Sequence, residues 1–500
     1  MKRQLGLSLM VLAVLAVPPA WSQTGSDQSQ SGSTDQSQSG STDQSQNGST
    51  NQSQNGSTDQ SQNGSTDQSQ NGSTDQSQPS STGPQVAYTH PEQLPPLTFL
   101  NEVTANTGIR LSLSTGLLTT YDSYANSHSD YWQNQGTIGA GINITQIRPT
   151  LMWNLQYTGG VSLGGLTAPG ASSYLSLNQN GDAKILWQFA KRWQLSAEDR
   201  YLYTSDPFAP YLTVDGVPTF NNPNPVMYIP RSINESNVGS VTLTYQMSAH
   251  DNLIFTGGES FQRYINSSFS ANNSFTYTGG FYYQHVFSAR LSAGTGYSFT
   301  ALDYGHGLSR SGIQAIVGFV NYQLSPTMLV TAFVGPEDTA TKDIVPTFCF
   351  PGYGCFGYHA VYQSQWNVAE GGTFGWTRRR NAFRAGFRHQ NSDGGGILGT
   401  VRLYQITASY RRSLAQRWNF STGISYNNSL SISQPHASEF AKGLQGTVVL
   451  SRDISPSWNA TVYYSLIHET QNYYTPQPST LGTNGVGISL RYSWGHSLGR

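Results

Sequence analysis

The residues able to do chemistry in this chain are few, and most fall at every second position of extended runs. Over 172–189, Leu177, Ala183, Ile185, Trp187 and Phe189 alternate with Asn178, Asn180, Asp182, Lys184 and Gln188. The following run, 192–205, carries Gln194, Ser196, Glu198 and Arg200 on one phase. A period of two belongs to a β-strand with one apolar and one polar face. If the chain turns back over Ala190-Lys191-Arg192, Lys184 opposes Glu198 and Asp182 opposes Arg200. Opposite charges facing across an antiparallel pair suit a water-filled interior. Over 382–392, Phe383, Ala385 and Phe387 share one phase, and Arg384 and Arg388 the other. These six charged side chains either brace a polar wall or set the selectivity of a path along it. Asp199, Glu370 and His389 fall on the apolar phase. A bulge, a shift of register or a protomer contact would each account for them.

The cysteines make a second cluster. Cys349 and Cys355 are the only two, six residues apart, with Gly352 and Gly354 permitting a tight turn between them. In an exported chain such a pair is expected to form a disulfide. Metal binding with a distant His is the poorer alternative, and the spacing does not match a redox Cys-x-x-Cys. There are 10 His, yet no Ser/His/Asn or Asp/His cluster stands out. His128-Ser129 and His496-Ser497 are adjacent pairs in a predicted loop and tail. No catalytic residue, metal or cofactor is expected, and the chain does not read as an enzyme.

The elements that position these residues follow from composition. Of 500 residues only 11% are charged and 36% hydrophobic, against typical values of about 25% and 45–50%. A helical membrane protein would be far more apolar than a mean hydropathy of -0.42. Low charge with 52 Gly and 29 Tyr fits many strands that are apolar on one face only, the composition of a transmembrane barrel. A net charge of -1 gives no basic footprint for nucleic acid.

The N-terminus reads as a secretory signal. Lys2 and Arg3 precede an apolar run from Leu5 to Val17, and Ala20-Trp21-Ser22 supplies small residues for cleavage after Ser22. The run is too short for a spanning helix, which needs about 20 apolar residues. Residues 23–82 hold a tandem octad that begins Asp27-Gln28-Ser29-Gln30-Ser31-Gly32-Ser33-Thr34. Without aliphatic or aromatic side chains it cannot bury a core, so disorder is expected. It serves as a periplasmic spacer, or as a tether to peptidoglycan or a glycosylated tract. Residues 83–107, with Pro84, Pro91, Pro95 and Pro96, read as a stiffer linker.

From residue 108 onward the period of two dominates. Ile109, Leu111 and Leu113 alternate with polar neighbours, as do Leu151, Trp153, Leu155 and Tyr157. The last run sets Val486, Ile488, Leu490, Tyr492 and Trp494 against Gly487, Ser489, Arg491 and Ser493. Short turns recur with an aromatic close by, as in Phe189-Ala190-Lys191-Arg192-Trp193 and Leu414-Ala415-Gln416-Arg417-Trp418. Aromatics at that position build an interfacial girdle. Counting the runs gives about 18 strands, with 16 as the alternative, an even number as single-chain bacterial barrels require. Two long connections are expected, over 206–235 and 337–365.

The signal, the alternating strands, the short turns and the terminal Leu490-x-Tyr492-x-Trp494 resemble bacterial outer-membrane β-barrels, porin-like channels being the nearest group. The resemblance covers residues 108–494. It implies an all-β, up-and-down antiparallel barrel integral to the outer membrane over 108–500, with residues 23–82 in the periplasm. It implies partners too: outer-membrane lipid, the barrel-assembly machinery reading Leu490, Tyr492 and Trp494, and small polar solutes in the lumen, with homo-oligomerisation left open. Residues Gly495 to Arg500 extend past the aromatic that ends such barrels. The third outer loop, 206–235, stiffened by six prolines from Pro207 to Pro230, would narrow the pore by analogy with general porins, or form a rigid surface loop. The expected function is passive transport of small polar solutes. The alternative is a surface anchor, an adhesin or a polysaccharide-export barrel.

Overall fold

In the computed structural model the described residues are 108–124, 131–166, 174–204, 233–265, 273–305, 309–350, 354–394, 399–432, 439–472 and 479–497. The signal, the octad tract, the linker and most of the 206–235 connection lie outside them.

Eighteen strands follow one another. They are β1 (Gly108–Tyr124), β2 (Tyr131–Ile147), β3 (Leu151–Leu166), β4 (Tyr174–Ala190), β5 (Trp193–Thr204), β6 (Asn234–Gln246), β7 (Asp251–Tyr264), β8 (Ser274–Ser288), β9 (Leu291–Tyr304), β10 (Ser309–Ser325), β11 (Met328–Phe350), β12 (Gly354–Arg378), β13 (Asn381–Asp393), β14 (Thr400–Ala415), β15 (Trp418–Ser431), β16 (Phe440–Asp453), β17 (Trp458–Gln471) and β18 (Ser479–Ser497). Each pairs antiparallel with its sequence neighbours, and β1 pairs with both β2 and β18. The sheet therefore closes on itself and leaves no edge in the wall. No described helix is long and apolar enough to cross a membrane, which says nothing of a barrel.

Alternation sorts the side chains into an outer and an inner face. Leu113, Leu117, Ile138, Leu163, Leu177, Phe255, Phe281, Ile316, Val334, Phe387, Ile406, Ile424, Val462, Val486 and Ile488 are all exposed on the outside. Exposed apolar side chains running right round a closed sheet form the belt that a hydrocarbon layer covers. Aromatic contacts gather next to the short turns. Trp187, Phe189, Trp193 and Tyr245 form a chain with centroids 4.4–6.2 Å apart. Trp458, Tyr492 and Trp494 form another, at 4.9 and 5.8 Å.

One expected loop is not a loop. Residues 337–365 lie within β11 and β12, which run for 23 and 25 residues and leave only 351–353 between them. Thr339, Thr341, Val345, Val361, Tyr362 and Trp366 are strand formers. They pair in register from Met328–Trp376 through to Phe350–Gly354. This ribbon outruns its neighbours: β10 pairs with β11 only as far as Asp343, and β13 with β12 only as far as Glu370–His389. Cys349 and Cys355 are directly opposite one another in its register.

Candidate functional site: the barrel interior

On one wall of the interior, β4 and β5 meet through a tight turn, and their register pairs Asp182 with Arg200 and Lys184 with Glu198. The four side chains make a closed ring of ion pairs. Lys184 Nζ is 3.4 Å from Asp182 and 3.8 Å from Glu198. Arg200 is 3.3 Å from Asp182 and 2.5 Å from Glu198. Two cations and two anions leave no net charge. Partial exposure, 14–34% of each side chain, lets water share the cost of holding the charges.

On β13, Arg384 and Arg388 occupy the inner phase. Arg384 is half-buried, opposite Gly375 and Ser409. Arg388 is buried and donates to Gln405 Oε1 at 2.8 Å, and Gln405 donates onward to Asn427 at 2.9 Å. The three polar residues on the outer phase each have a partner. Asp199 accepts from Asn237 Nδ2 at 2.7 Å. Glu370 is 3.7 Å from His389 Nδ1, and the His389 ring stacks on Tyr404 with centroids 4.0 Å apart. At Glu370 and His389 neither a bulge nor a register shift is involved, because β12–β13 and β13–β14 pair without interruption there.

The interior also holds a crossing that the alternation does not reveal. Beyond His389 the β13 strand leaves β12, and Gln390, Asn391, Ser392 and Asp393 are all buried. Asn391 donates its backbone N–H to Glu337 Oε1 at 2.8 Å and its side chain to Thr339 at 2.8 Å. Asn367 donates to the same Glu337 oxygen at 3.3 Å. Glu337 and Thr339 belong to the inner face of β11, so the end of β13 lies inside the wall. Further along, Thr276 of β8 donates to Asp393 Oδ2 at 3.1 Å, and Thr400 of β14 donates to Ser311 of β10 at 2.5 Å. Strands β8 and β13 stand five places apart in the ring, so the β13–β14 hairpin spans the interior at the long-loop end. A sequence signal was present: Gln390-Asn391-Ser392-Asp393 is polar on both phases and is followed by glycines, which a lipid-facing strand does not tolerate.

The facing wall, β7 to β11, carries an apolar patch among polar side chains, with Asn252, Gln284, Ser292 and Asn321 buried beside it and hydrogen-bonded to one another. Ile254, Tyr282, Ala315, Val317 and Phe319 point inward and form one cluster, with Phe333 packed against it. The rings lie flat on glycines. A Cβ at Gly296 would sit 2.0 Å from the Tyr282 ring, and one at Gly294 would sit 2.6 Å from the Phe319 ring. Only glycine allows that approach. The interior thus has a charged but neutral side, a side with an apolar patch set among polar residues, and a polar crossing at the long-loop end.

No family model matches the chain, and no curated protein matches it. Among solved structures it is similar to OccK5 (OpdH) of Pseudomonas aeruginosa, at 12% identity and a TM-score of 0.35 over 78% of this chain and 100% of that one. It is similar to OpdQ of the same organism, at 12% identity and a TM-score of 0.38 over 77% and 98%. The Acinetobacter baumannii OccAB4 structure is similar at 10% identity and a TM-score of 0.37 over 78% and 100%.

Proposed function

We propose that the chain is an integral outer-membrane channel that passes small polar solutes. The closed 18-strand ring with an apolar belt outside and ionised side chains inside carries this reading. Charges are kept on the inner face of a barrel when water reaches them. Asp182, Lys184, Glu198 and Arg200 brace one wall of the path, and Arg384 and Arg388 bias it toward anions. In this reading a signal ending at Ser22 exports the chain and residues 23–82 stay in the periplasm. Leu490, Tyr492 and Trp494 on the outer face of β18 are read by the assembly machinery. Cys349 and Cys355 are bonded: directly opposed antiparallel residues lie about 4.5–5.5 Å apart at Cα, inside the range a disulfide accepts.

Single-channel recording of the refolded barrel in a planar bilayer tests the proposal, and a steady ion-conducting state is expected. A folded barrel that never conducts overturns it. One observation favours the second reading, a surface anchor, adhesin or export barrel. The β11–β12 ribbon stands beyond its neighbours and exposes Tyr358, Tyr362 and Trp366 at 65–72%. Binding of a glycan or a cell surface by the silent barrel would support it.

A further inference from the structure

On the outer face, between β9 and β12, the apolar belt gives way to a charged row. Asp303, Arg310, Lys342 and Tyr362 are successive cross-strand partners on β9, β10, β11 and β12. Each strand keeps the phase of its belt residues: Arg310 lies with Ile316, Lys342 with Val334, and Tyr362 with Val368. Arg310 and Lys342 stand directly opposite one another, and like charges so placed repel. Asp303 offsets one of them, its Oδ2 lying 3.3 Å from Arg310 Nε. Among the described residues Lys342 makes no ion pair, and its Nζ lies 5.7 Å over the Tyr362 ring. Asp343, next in sequence, is buried on the inner face with Ser309. Asp338, nearer the belt on the outer face, accepts from Ser364. Two cations against one carboxylate leave the row positive. The Arg310 side chain is 65% exposed, and a guanidinium that holds one carboxylate through Nε keeps further donors for a second anion.

Height identifies what lies beside this row. Tyr322 and Val330 are partners near the short turn that joins β10 to β11. Arg310 and Lys342 lie twelve residues farther along their strands. At about 3.3 Å per residue and a tilt of about 40°, that stretch climbs about 30 Å. The apolar band of a transmembrane barrel is about 25 Å tall, so the two cations stand just beyond it, at the level of lipid headgroups. Trp366, four residues nearer the short turn than Tyr362 and exposed on the same face, sits where interfacial aromatics gather. Tyr358, four residues farther out, is exposed too. Longer loops face the exterior in such barrels, so the leaflet at this end is the outer one.

We propose that Arg310 and Lys342 bind the phosphate of a phosphorylated glycolipid in the outer leaflet, and that Tyr362 and Tyr358 stack its sugar. A phosphate between the two cations replaces their repulsion with charge-assisted contacts. The C–H face of a sugar ring packs flat on an aromatic ring. Tyr362 and Tyr358 lead outward from the phosphate, where the sugar of a lipid anchored by its acyl chains lies. A plain phospholipid satisfies the cations but not the aromatics. The site rests on the outer-membrane reading above and is independent of conduction.

Native mass spectrometry of the full-length refolded protein in detergent tests the proposal, with lipid A, a diphosphorylated disaccharide lipid, as the probe. Dephosphorylated lipid A and phosphatidylglycerol are the comparisons, and the parent is expected to bind lipid A about tenfold more tightly than either, the ratio that about 1.4 kcal/mol gives. Lys342→Gln, which keeps the Arg310–Asp303 pair, should lower lipid A affinity about tenfold, and Arg310→Gln with Lys342→Gln should lower it further. Lys191→Gln with Arg192→Gln, in a short turn at the opposite rim, should leave it unchanged. Tyr358→Ala with Tyr362→Ala should weaken binding of lipid A but not of phosphatidylglycerol. Equal binding of the dephosphorylated lipid, or no loss in a folded Lys342→Gln barrel, overturns the phosphate site. Equal binding of phosphatidylglycerol overturns the glycolipid. A barrel that never conducts yet binds lipid A through Arg310 and Lys342 leaves the site standing and refutes the channel.

Discussion

Replacing Glu337 and Asp393 together by Ala should release the β13–β14 crossing and increase conductance. Glu337 is buried at 3% exposure, and its Oε1 accepts from the Asn391 backbone N–H and from Asn367. Removing the carboxylate leaves a buried N–H without that acceptor, which costs about 1–3 kcal/mol. Removing Asp393 takes away the acceptor of Thr276, and a hydrogen bond to a charged group contributes about 1.5–3 kcal/mol. The two changes together destabilise the crossing by about 3–5 kcal/mol, allowing for incomplete additivity. At 1.4 kcal/mol per factor of ten, the lower figure already shifts the docked-to-released ratio by about 150-fold. Planar-bilayer recording should then show a larger or longer-lived conducting state than the parent. Asn237→Ala removes an outer-face hydrogen bond to Asp199 and serves as the control, with conductance unchanged. If the double variant folds, as judged by heat-modifiable migration, and conducts like the parent, the crossing does not limit the path.

Four further outcomes are expected. Replacing Arg384 and Arg388 by Glu should move the reversal potential in a salt gradient toward cation preference, whereas exchanging Lys184 and Glu198 should move it little, because the ring stays neutral. Tyr492→Ala with Trp494→Ala should lower the amount of assembled barrel in the outer membrane, measured by heat-modifiable migration. Deleting residues 27–82 while keeping the signal should leave that migration unchanged. Asp251, the first residue of β7 at the short-turn rim, accepts from Ser248, Tyr283 and His285, which hold its carboxyl below the usual carboxylate range. A carboxyl lowered by folding stabilises the fold above its unfolded pKa of about 4 and loses that contribution as pH falls toward its folded value. The unfolding midpoints of Asp251→Asn and parent should therefore differ at pH 7 and converge in strong acid.

Local alternation was enough to read the wall of this barrel. Phase alone assigns Phe387 outward and Arg388 inward; the pairing of Lys184 with Glu198 is set by the Lys191-Arg192 turn together with a register shift between Trp187 and Ala190, which the sequence does not announce. A one-residue slip would turn every side chain of a strand to the wrong face, so register and pattern constrain each other tightly. The ribbon of β11 and β12 falls where the sequence predicts a long connection, over 337–365. The length of that ribbon is set by pairing between its two arms rather than by the neighbouring wall.

The contents of the interior are a different kind of problem. Thr276 and Asp393 are 117 residues apart, and no local period reports that they meet. The polar run from Gln390 to Asp393 shows only that β13 cannot keep facing lipid. Where it goes is decided by the nearest buried acceptor, Glu337 on the inner face of β11. The inward apolar residues pose the same difficulty. Ile254, Val317 and Phe319 look like lipid-facing residues until the phase of Phe255 and Ile316 assigns them to the interior. In the proposed channel, selectivity then depends less on the wall, which alternation encodes, than on what the wall holds inside it. Changes at Glu337 or Asp393 should alter conduction more than equal changes of charge in the ring formed by Asp182, Lys184, Glu198 and Arg200.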